Sequence, residues 1–400
     1  MNVLVLNCGS ATLKFQLIET GSESASYSQD RKLARGLVER IGADATTCRF
    51  EAGAHQTDKV LPIRDHDAAV RAVIEWLGSM PVLPRPAAVG HRVVHGGDRY
   101  TGAILIDRDA IAALDALREI APLHNPAALS GIRAARKALG DSVPMVAVFD
   151  TAFHHTIPEA AATYALSYEL ARKHKIRRYG FHGVAHQYDV GRYAELNGKH
   201  PAEVNAVILH LGNGCSASAI RNGQSVETSM GFTPLEGLVM GTRSGDLDPA
   251  LVSYLARKEG VEAAEVEEWL NKQSGLLGIS GLSNHMRELL AARDGQRRAR
   301  LAVEVFCHRA RKYLGAYLAV LGGAEAVIFS GGIGENAPLV REDICRNMEW
   351  CGIHLDAGAN AALLGQDGCI SSATAALKVW VIHADEEAII ARQTAQKVGG

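Results

Sequence analysis

The fold is decided by a pattern that occurs twice: residues 3–18 read VLVLNCGSATLKFQLI, and residues 207–220 read VILHLGNGCSASAI. Each segment has a buried strand, a turn of glycine, asparagine and serine, and a second strand, a pattern that predicts a β-hairpin. Either segment alone would be an ordinary hairpin, because tight turns use these residues for their own geometry. Its occurrence near the start of each half of the chain instead predicts two related domains.

The two turns are candidate phosphate-binding sites. Successive backbone N–H groups in such a turn form a concavity that holds phosphate oxygens, glycine lets the ligand approach, and serine hydroxyls add donors. A third glycine-rich segment, AVIFSGGIGENAPLVREDI at 326–344, predicts a strand, a glycine turn and a helix. It matches neither the G-x-x-x-x-G-K-[ST] phosphate loop nor a dinucleotide fingerprint, so alone it is as compatible with a structural role as with a binding role. Together with the hairpins, it is interpreted as the wall against which a nucleoside packs.

The rest of the chain alternates short β-branched runs with stretches of helical period, which is typical of an α/β protein. A helix is predicted to begin at Asn125-Pro126 and to end before Gly140, with the asparagine as its cap. No Pro-rich or low-complexity linker separates the halves, so the domain boundary is expected where the chain crosses between them. Strands are predicted near residues 89–94, 143–149, 205–211 and 326–329.

Length and composition indicate a globular protein of at least two domains. The chain has 400 residues, and one domain takes roughly 150. Apolar residues make up 47% and charged residues 22%, and the net charge of −2 lacks the basic excess that nucleic acid attracts. We therefore expect no nucleic-acid partner.

Cysteine usage and hydropathy indicate a cytoplasmic protein. The seven cysteines are odd in number and scattered, without the two-residue gap of zinc or redox motifs, so reduced thiols are expected. The strand-like run at 3–6 is too short for a signal-peptide core, and no apolar stretch approaches the roughly 18 residues of a membrane span. No membrane partner is expected.

Four further motifs extend the pattern: HRVVHGG (91–97), FDTAFH (149–154), RYGFHG (178–183) and GTRSGDLDP (241–249). With the three glycine-rich segments they resemble the acetate kinase family of acetate and propionate kinases, nearly from end to end. The resemblance implies the fold of the actin, sugar kinase and heat-shock chaperone superfamily. That fold is α/β, with two duplicated ribonuclease-H-like (actin-like ATPase) domains and an ATP cleft between them. The implied domains are residues 1–150 with the C-terminal helix 387–400, and residues 151–386; closure of the domains around ATP is expected.

The resemblance implies an enzyme that transfers the γ-phosphoryl of ATP to acetate, giving acetyl phosphate and ADP, with Mg²⁺ as cofactor. Arg92 and Arg243 are implied to bind the carboxylate and the transferring group, tasks that suit the paired donors of a guanidinium. His182 matches the family histidine that stabilises the transition state, and His124 matches a second active-site position. Asp150 matches the active-site aspartate, which either orients an arginine or a metal-bound water, or handles a proton. We favour orientation, because a carboxylate substrate is already ionised at neutral pH.

The resemblance also implies binding residues. The alkyl group of the substrate would contact Val94, Leu123, Phe181 and Pro234. Mg²⁺, which takes only one or two protein oxygens, would contact Asn7 and Glu386, with Glu387 as the alternative to Glu386. The nucleotide would contact Ser10, Thr12, Lys14, His210, Leu211, Gly212, Asn213, Gly214, His285, Met286, Arg287, Gly332, Ile333, Gly334, Glu335 and Asn336.

One segment departs from the family pattern. Relatives usually carry S-S-D-x-R where this chain has SNHMR at 283–287, so a histidine, His285, replaces the aspartate expected near the ribose or adenine. Arg287 is kept and can stack on the nucleoside or hydrogen-bond to it. ATP is expected as the nucleotide, while the purine preference can differ from that of relatives.

The same residues leave alternatives of two kinds, another acid as substrate and another class of protein. An extra methylene in an apolar pocket is worth only about 1–3 kcal/mol, so propionate kinase is the near alternative and butyrate kinase a more distant one. An ATP-driven conformational module on the same fold is the alternative from another class. A module of that kind has no need to assemble Arg92, Asp150, His182 and Arg243, which favours the enzyme. The family resemblance also implies a homodimer.

Overall fold

The computed structural model describes residues 1–21, 26–119 and 125–399. These residues form both helices and strands, as expected of an α/β protein, but runs of consecutive strands and of consecutive helices interrupt the predicted alternation. The strands are β1 (Asn2–Cys8), β2 (Thr12–Glu19), β3 (Arg31–Glu39), β4 (Thr46–Ala52), β5 (His55–Leu61), β6 (Ala88–Val93), β7 (Ile104–Leu105), β8 (Met145–Phe149), β9 (Ala206–Leu211), β10 (Cys215–Arg221), β11 (Gln224–Thr228), β12 (Ala326–Ser330), β13 (Gly368–Cys369) and β14 (Lys378–Val381). The helices are α1 (His66–Gly78), α2 (Arg108–Ala116), α3 (Asn125–Leu139), α4 (Glu159–Ala162), α5 (Tyr168–Lys173), α6 (Gly183–Leu196), α7 (Ala250–Glu259), α8 (Ala263–Lys272), α9 (Gly275–Ser280), α10 (Met286–Ala292), α11 (Arg297–Leu321), α12 (Gly331–Asn336), α13 (Pro338–Cys345), α14 (Ala357–Ala362) and α15 (Glu386–Gly399).

The chain divides into two compact units. The first consists of residues 1–153 together with the C-terminal segment that begins at Asp385, and the second of residues 154–384. The first unit holds a sheet with the strand order β5-β4-β3-β2-β1-β6-β8-β7, and the second holds a sheet with the order β11-β10-β9-β12-β14-β13.

The two sheets repeat one topology. In the first, β2 is antiparallel to β1 and β3, while β6 is parallel to β1 and β8. In the second, β10 is antiparallel to β9 and β11, while β12 is parallel to β9 and β14. Both predicted hairpins are therefore confirmed, and each belongs to a six-stranded order that the two sheets share, which β4 and β5 extend in the first sheet.

The core of the first unit lies where α1 and α3 cover one face of the sheet. Phe15, Phe50 and Trp76 form an aromatic cluster, with ring centroids 5.2–6.0 Å apart. Helix α15 packs on the strands, and Gly90 permits this, because a Cβ there would lie 2.5 Å from Thr394 Oγ1 and 2.7 Å from Ile390 Cγ2. The close approach brings the first residues of α15 to the end of β6.

The core of the second unit is built from β9 and β12, which are buried throughout, and from β10, which is buried except at Arg221. Helix α11, 25 residues long, packs against β9 and β10. In the part of the chain that the structure describes, none of the helices combines the length and the apolar character that crossing a membrane would need.

The helix predicted at Asn125 is confirmed, and it ends before Gly140, which has a φ of 83°. The capping role predicted for Asn125 is wrong. Its amide instead exchanges hydrogen bonds with the backbone of His95, at 3.2 Å from the His95 N–H and 3.1 Å to the His95 carbonyl. Asn125 is fully buried, so its side chain anchors the loop after β6 rather than its own helix.

Candidate active site

In the first unit, three parallel strands bring polar side chains to one edge of the sheet. Asn7 is the penultimate residue of β1, Arg92 is the penultimate residue of β6, and Asp150 follows β8 directly. The register aligns these ends, pairing Arg92 with Val148 on β8. The carboxyl edge of parallel strands is where open α/β sheets bind ligands.

Arg92 and Asp150 form a bidentate salt bridge at this edge of the sheet. Arg92 Nε donates to Asp150 Oδ1 at 3.0 Å and Nη2 donates to Oδ2 at 2.5 Å, while Nη1 donates to Asn7 Oδ1 at 3.2 Å. Burial lowers the pKa of Arg92, but the Asp150 and Glu386 carboxylates outweigh that and raise it, so the guanidinium stays charged. Burial raises the pKa of Asp150, and the adjacent guanidinium opposes the rise. Both oxygens of the Asp150 carboxylate therefore accept hydrogen bonds from the Arg92 guanidinium.

Three carboxylates lie at the start of α15 or just before it, and each of them has different partners. Asp385 accepts from the Ala388 N–H at 3.1 Å and pairs with Lys32 at 2.6 Å. Glu387 is buried and pairs with Lys14 Nζ at 2.9 Å, and it also accepts from Gln16 at 3.3 Å. Glu386 Oε2 lies 3.7 Å from Arg92 Nε. Of the two glutamates, Glu386 is therefore the one beside Arg92.

The first glycine turn presents exposed polar side chains. The Gly9 N–H donates to the Thr12 carbonyl at 2.9 Å, which closes the turn. Ser10 and Thr12 are exposed, and the Lys14 side chain is half exposed and pairs with the buried Glu387. Lys14 has its pKa lowered by burial but raised more by Glu387 and its neighbours, so its ammonium is charged while bound to Glu387.

In the second unit, His182 lies at the start of α6 within a group of histidines. Its φ of 57° is left-handed, and its Nδ1 lies 3.0 Å from Ser216 Oγ. The same hydroxyl lies 2.8 Å from His186 Nε2. The ring of His210 lies 5.0 Å from that of His182, and His210 Nδ1 lies 3.1 Å from Ser330 Oγ. We call His154, His182, His186 and His210 the histidine cluster.

Arg243 is a largely buried cation beside the second glycine turn. Its Nη1 lies 3.4 Å from the Pro234 carbonyl and 3.8 Å from Met240 Sδ. Among the described residues of this unit, no carboxylate pairs with it, and burial lowers its pKa. A Cβ added to Gly214 would lie 3.3 Å from His182 Nε2 and 3.6 Å from Arg243 Nη1. The two side chains therefore converge on the surface of the turn.

A cavity of about 450 Å³ lies beside the same turn. The Asn284 amide, which lines it, donates to Asn213 Oδ1 at 3.0 Å and so links the segment that departs from the family pattern to the glycine turn. Of the predicted nucleotide residues, the cavity is lined by Asn213, His285, Met286, Arg287, Gly332, Ile333 and Asn336.

Other predicted residues have different surroundings. Glu335 is buried, accepts from the Ala384 N–H at 3.1 Å and pairs with His383 Nδ1 at 2.6 Å, so its carboxylate holds the chain after β14. Leu211 and Gly334 are buried, and Gly212 donates to the Gly214 carbonyl at 3.0 Å within the turn.

The residues predicted to line the alkyl pocket are placed only in part. Phe181 is buried, and its carbonyl lies 3.0 Å from His154 Nε2. Val94 and Pro234 are partly buried. Leu123 and His124 lie outside the described residues.

Sequence reasoning missed Ser216, His186 and Asn284. The spacing of His186 held a signal, because it follows His182 by four residues at the start of a helix, and such residues share one face. Ser216 carried no comparable signal, since its bridging position depends on how β10 packs against α6.

The buried histidines predict a loss of stability in acid. Burial lowers the pKa from 6.5 to about 3 for His91 and to about 4 for His154, and lowers that of His186 well below 6.5. Between these values the unfolded chain binds protons and the folded chain does not, so the free energy of unfolding falls as pH drops below 6.5. One such group contributes a slope of at most about 1.4 kcal/mol per pH unit.

Urea unfolding of His154→Gln from pH 7 downward checks this expectation. The variant is expected to be less stable overall, because two hydrogen bonds are lost, but to have a shallower dependence on pH than the unmodified chain. His55→Gln, at an exposed position, is the control. Equal slopes for all three proteins would contradict the prediction.

The repeated strand order, with a glycine turn in each unit and cationic side chains beside it, is the arrangement of a duplicated α/β kinase. The chain belongs to the acetokinase family, whose model matches residues 2–392. The acetate kinase of Solibacter usitatus is 50% identical over 409 residues, covering 100% of this chain and 99% of the relative. That of Chloroherpeton thalassium is 49% identical and covers 98% of each chain.

Solved structures agree. The crystal structure of Porphyromonas gingivalis acetate kinase has a TM-score of 0.92 and 39% identity, covering 99% of both chains. A propionate kinase from Francisella tularensis has a TM-score of 0.91 and 40% identity, covering 98% of both chains. The predicted family, fold class and kinase class are confirmed. The alternative of a conformational module is not favoured.

Proposed function

We propose that the protein transfers the γ-phosphoryl of ATP to acetate, forming acetyl phosphate and ADP reversibly. An acetate oxygen attacks the γ-phosphorus, the bond from that phosphorus to the β,γ-bridging oxygen breaks, and the electron pair leaves with ADP. Charge stabilisation and positioning are what this step demands of a protein.

The observation that carries the proposal is the environment of Arg243. A guanidinium that is largely buried without a carboxylate in its own unit is costly, and a bound anion removes that cost. The transferring phosphoryl group, with charge on its equatorial oxygens, is an anion that the planar donors of an arginine fit. The ring of His182 is proposed to add a second donor, since its Nε2 lies 3.3 Å from the same Cβ position at Gly214.

Arg92 is the cation that we propose for the acetate carboxylate. The bidentate bond with Asp150 fixes the guanidinium plane, and the bond from Nη1 to Asn7 adds a third point of attachment. An arginine held in this way keeps its orientation when substrate binds, which is the main requirement for catalysis by positioning. Val94, Leu123, Phe181 and Pro234 are proposed to contact the methyl group.

Asn7 and Glu386 fit a magnesium ion as donors. Both offer side-chain oxygens, and each has an oxygen within 4 Å of the Arg92 guanidinium, Asn7 at Nη1 and Glu386 at Nε. Two protein oxygens are what Mg²⁺ usually takes when it also binds phosphates. When bound there, the ion would neutralise charge on the phosphates during the transfer.

A hydroxylamine trap for acyl phosphate tests the proposal with purified protein, ATP and Mg²⁺. Acetate, propionate and butyrate are compared at equal concentration. We expect acyl phosphate to form faster from acetate than from propionate or butyrate. Faster trapping with propionate would move the substrate assignment to propionate kinase, and no acyl phosphate from any acid, while ATP still binds, would refute the proposed function.

Gly214→Ala is expected to reduce this activity without loss of stability. The methyl group would lie 3.3 Å from His182 Nε2 and 3.6 Å from Arg243 Nη1, in the space proposed for the phosphoryl group. We expect kcat to fall about 10- to 100-fold, as misplacement by about 1 Å does. Gly315→Ala, on α11 with no heavy atom within 4 Å of the added Cβ, is the matched control. Unchanged kcat in Gly214→Ala would exclude this space from the reaction.

The family resemblance supports three further proposals: a homodimer, a cytoplasmic location, and domains bounded at 1–150 with 387–400 and at 151–386. Sedimentation at micromolar concentration checks the first, with a mass near twice 42.7 kDa expected.

A further inference from the structure

We propose that Ser216 and His186 are positioning residues that hold His182 with its proton on Nε2. The hydrogen bonds run from His186 through the Ser216 hydroxyl to His182 Nδ1, and the result is an N–H donor aimed at the anion beside Gly214. The proposal rests on the proposed function only for the identity of that anion as a phosphoryl group.

His182 and His186 are joined by one buried hydroxyl, that of Ser216. Ser216 is on β10 and fully buried, and its Oγ lies 3.0 Å from His182 Nδ1 and 2.8 Å from His186 Nε2. A serine hydroxyl has one hydrogen and can accept as well as donate. Among the described residues its hydrogen-bond partners are these two histidines, so its buried O–H donates to one of them and its oxygen accepts from the other. Which histidine donates sets the direction of the two hydrogen bonds.

His186 determines that direction. It is fully buried, and its Nδ1 has no hydrogen-bond partner among the described residues. A proton on Nδ1 would leave a buried N–H unsatisfied, and such orphaned donors are rarer than under-satisfied acceptors. His186, which burial keeps neutral, therefore carries its proton on Nε2 and donates it to Ser216 Oγ.

The Ser216 hydroxyl is then left to donate to His182. Since His182 Nδ1 accepts this hydrogen bond, the neutral ring carries its proton on Nε2. That nitrogen lies 3.3 Å from the position that a Cβ of Gly214 would occupy, and Arg243 Nη1 lies 3.6 Å from the same position. The Nε2–H of His182 and the Nη1–H groups of Arg243 are therefore donors near the same position beside Gly214.

The neighbouring histidines are fixed by other groups. Ser330 Oγ donates to Asp189 Oδ2 at 2.6 Å, so it accepts from His210 Nδ1. His154 Nε2 donates to the Phe181 carbonyl, and its Nδ1 accepts from Ser225 Oγ at 2.8 Å. Of the four rings of the histidine cluster, only His182 and His186 share the Ser216 hydroxyl.

Nitrogen NMR of the full chain labelled with ¹⁵N-histidine tests the proposal directly. The neutral tautomers differ because a bare ring nitrogen resonates far downfield of a protonated one, and His182→Gln identifies the His182 signals. At pH 7.5 the signals of His182 are expected to show a bare Nδ1 and a protonated Nε2. An Nδ1–H tautomer or an imidazolium would overturn the proposal, and neither reading depends on activity.

Ser216→Ala and Ser216→Thr extend the test to catalysis. The alanine variant is expected to show averaged tautomers at His182 and a kcat about 10- to 100-fold lower, with KM for ATP and acetate changed less than kcat. The threonine variant keeps the hydroxyl and is expected to restore the Nε2–H tautomer. Ser225→Ala, which removes a buried hydroxyl from His154, is the matched control and is expected to leave the His182 signals unchanged.

Two outcomes separate this inference from the proposed function. If Ser216→Ala leaves the His182 signals unchanged, the inference fails, whatever the activity of the protein. If the signals change as expected but no acyl phosphate forms in the unmodified protein, the positioning holds and the proposed function fails.

Discussion

Arg243→Ala is expected to lower kcat for acetyl phosphate formation about 10³-fold, the effect typical of an arginine that stabilises phosphoryl transfer. The reason is that, among the described residues of its own unit, no carboxylate pairs with Arg243. In its own unit this guanidinium contacts a carbonyl and a thioether, so its charge is available to an anion. The hydroxylamine trap measures the loss, and ATP titration shows whether nucleotide still binds.

Stability separates this role from a structural one. Removing a buried cation that lacks a carboxylate partner leaves no charge unpaired, so the unfolding midpoint of Arg243→Ala is expected to match or exceed that of the unmodified chain. Arg257→Ala, at an exposed position of α7, is the control for general loss of an arginine. A lower midpoint together with a modest loss of activity would contradict the assignment and make Arg243 a structural residue.

Much of the scaffold could be predicted because it depends on local patterns. Strands, turns and the helix at 125–139 follow from hydrophobic period and turn residues, and the repeated hairpin predicts the repeated sheets. The position of Asp150 directly after a strand also follows, because the predicted strand at 143–149 ends there.

The pairing of charges could not be predicted, because it depends on register and packing between distant segments. Arg92 and Asp150 are 58 residues apart, and they meet only because β6 and β8 pair with Arg92 opposite Val148. Lys14 and Glu387 are 373 residues apart, and they meet because α15 packs on the first sheet. Lys14 was predicted from resemblance to bind phosphate, and the structure adds an ion pair that such a phosphate would share or displace.

The error at Asn125 has the same origin. An asparagine before a proline fits the cap of a helix, and sequence alone offers it no other partner. The loop after β6 supplies a backbone N–H and a carbonyl at the right spacing for one amide, and the buried pair of bonds to His95 is formed instead.

Asp150→Asn is expected to lower kcat about 100-fold and the free energy of unfolding by about 1.5–3 kcal/mol, the worth of a hydrogen bond to a charged group. An amide has one acceptor oxygen, so only one of the two bonds to Arg92 can form, and the amide N–H groups face the guanidinium. The loss is moderated because Asn7 and Glu386 still lie near Arg92. Glu51→Gln, which breaks the exposed pair with Arg35, is the control and is expected to leave kcat unchanged.

A double-mutant cycle distinguishes orientation from proton transfer at Asp150. If the carboxylate acts only by holding Arg92, then Asp150→Ala adds no further loss of kcat once Arg92 is alanine, because the group that it orients is gone. If Asp150 moves a proton independently, the losses multiply, and the double variant is slower than either single variant by the product of the two factors. The bidentate geometry and the ionised state of the carboxylate substrate both favour the first result, so we expect kcat of the double variant to equal that of Arg92→Ala within about twofold.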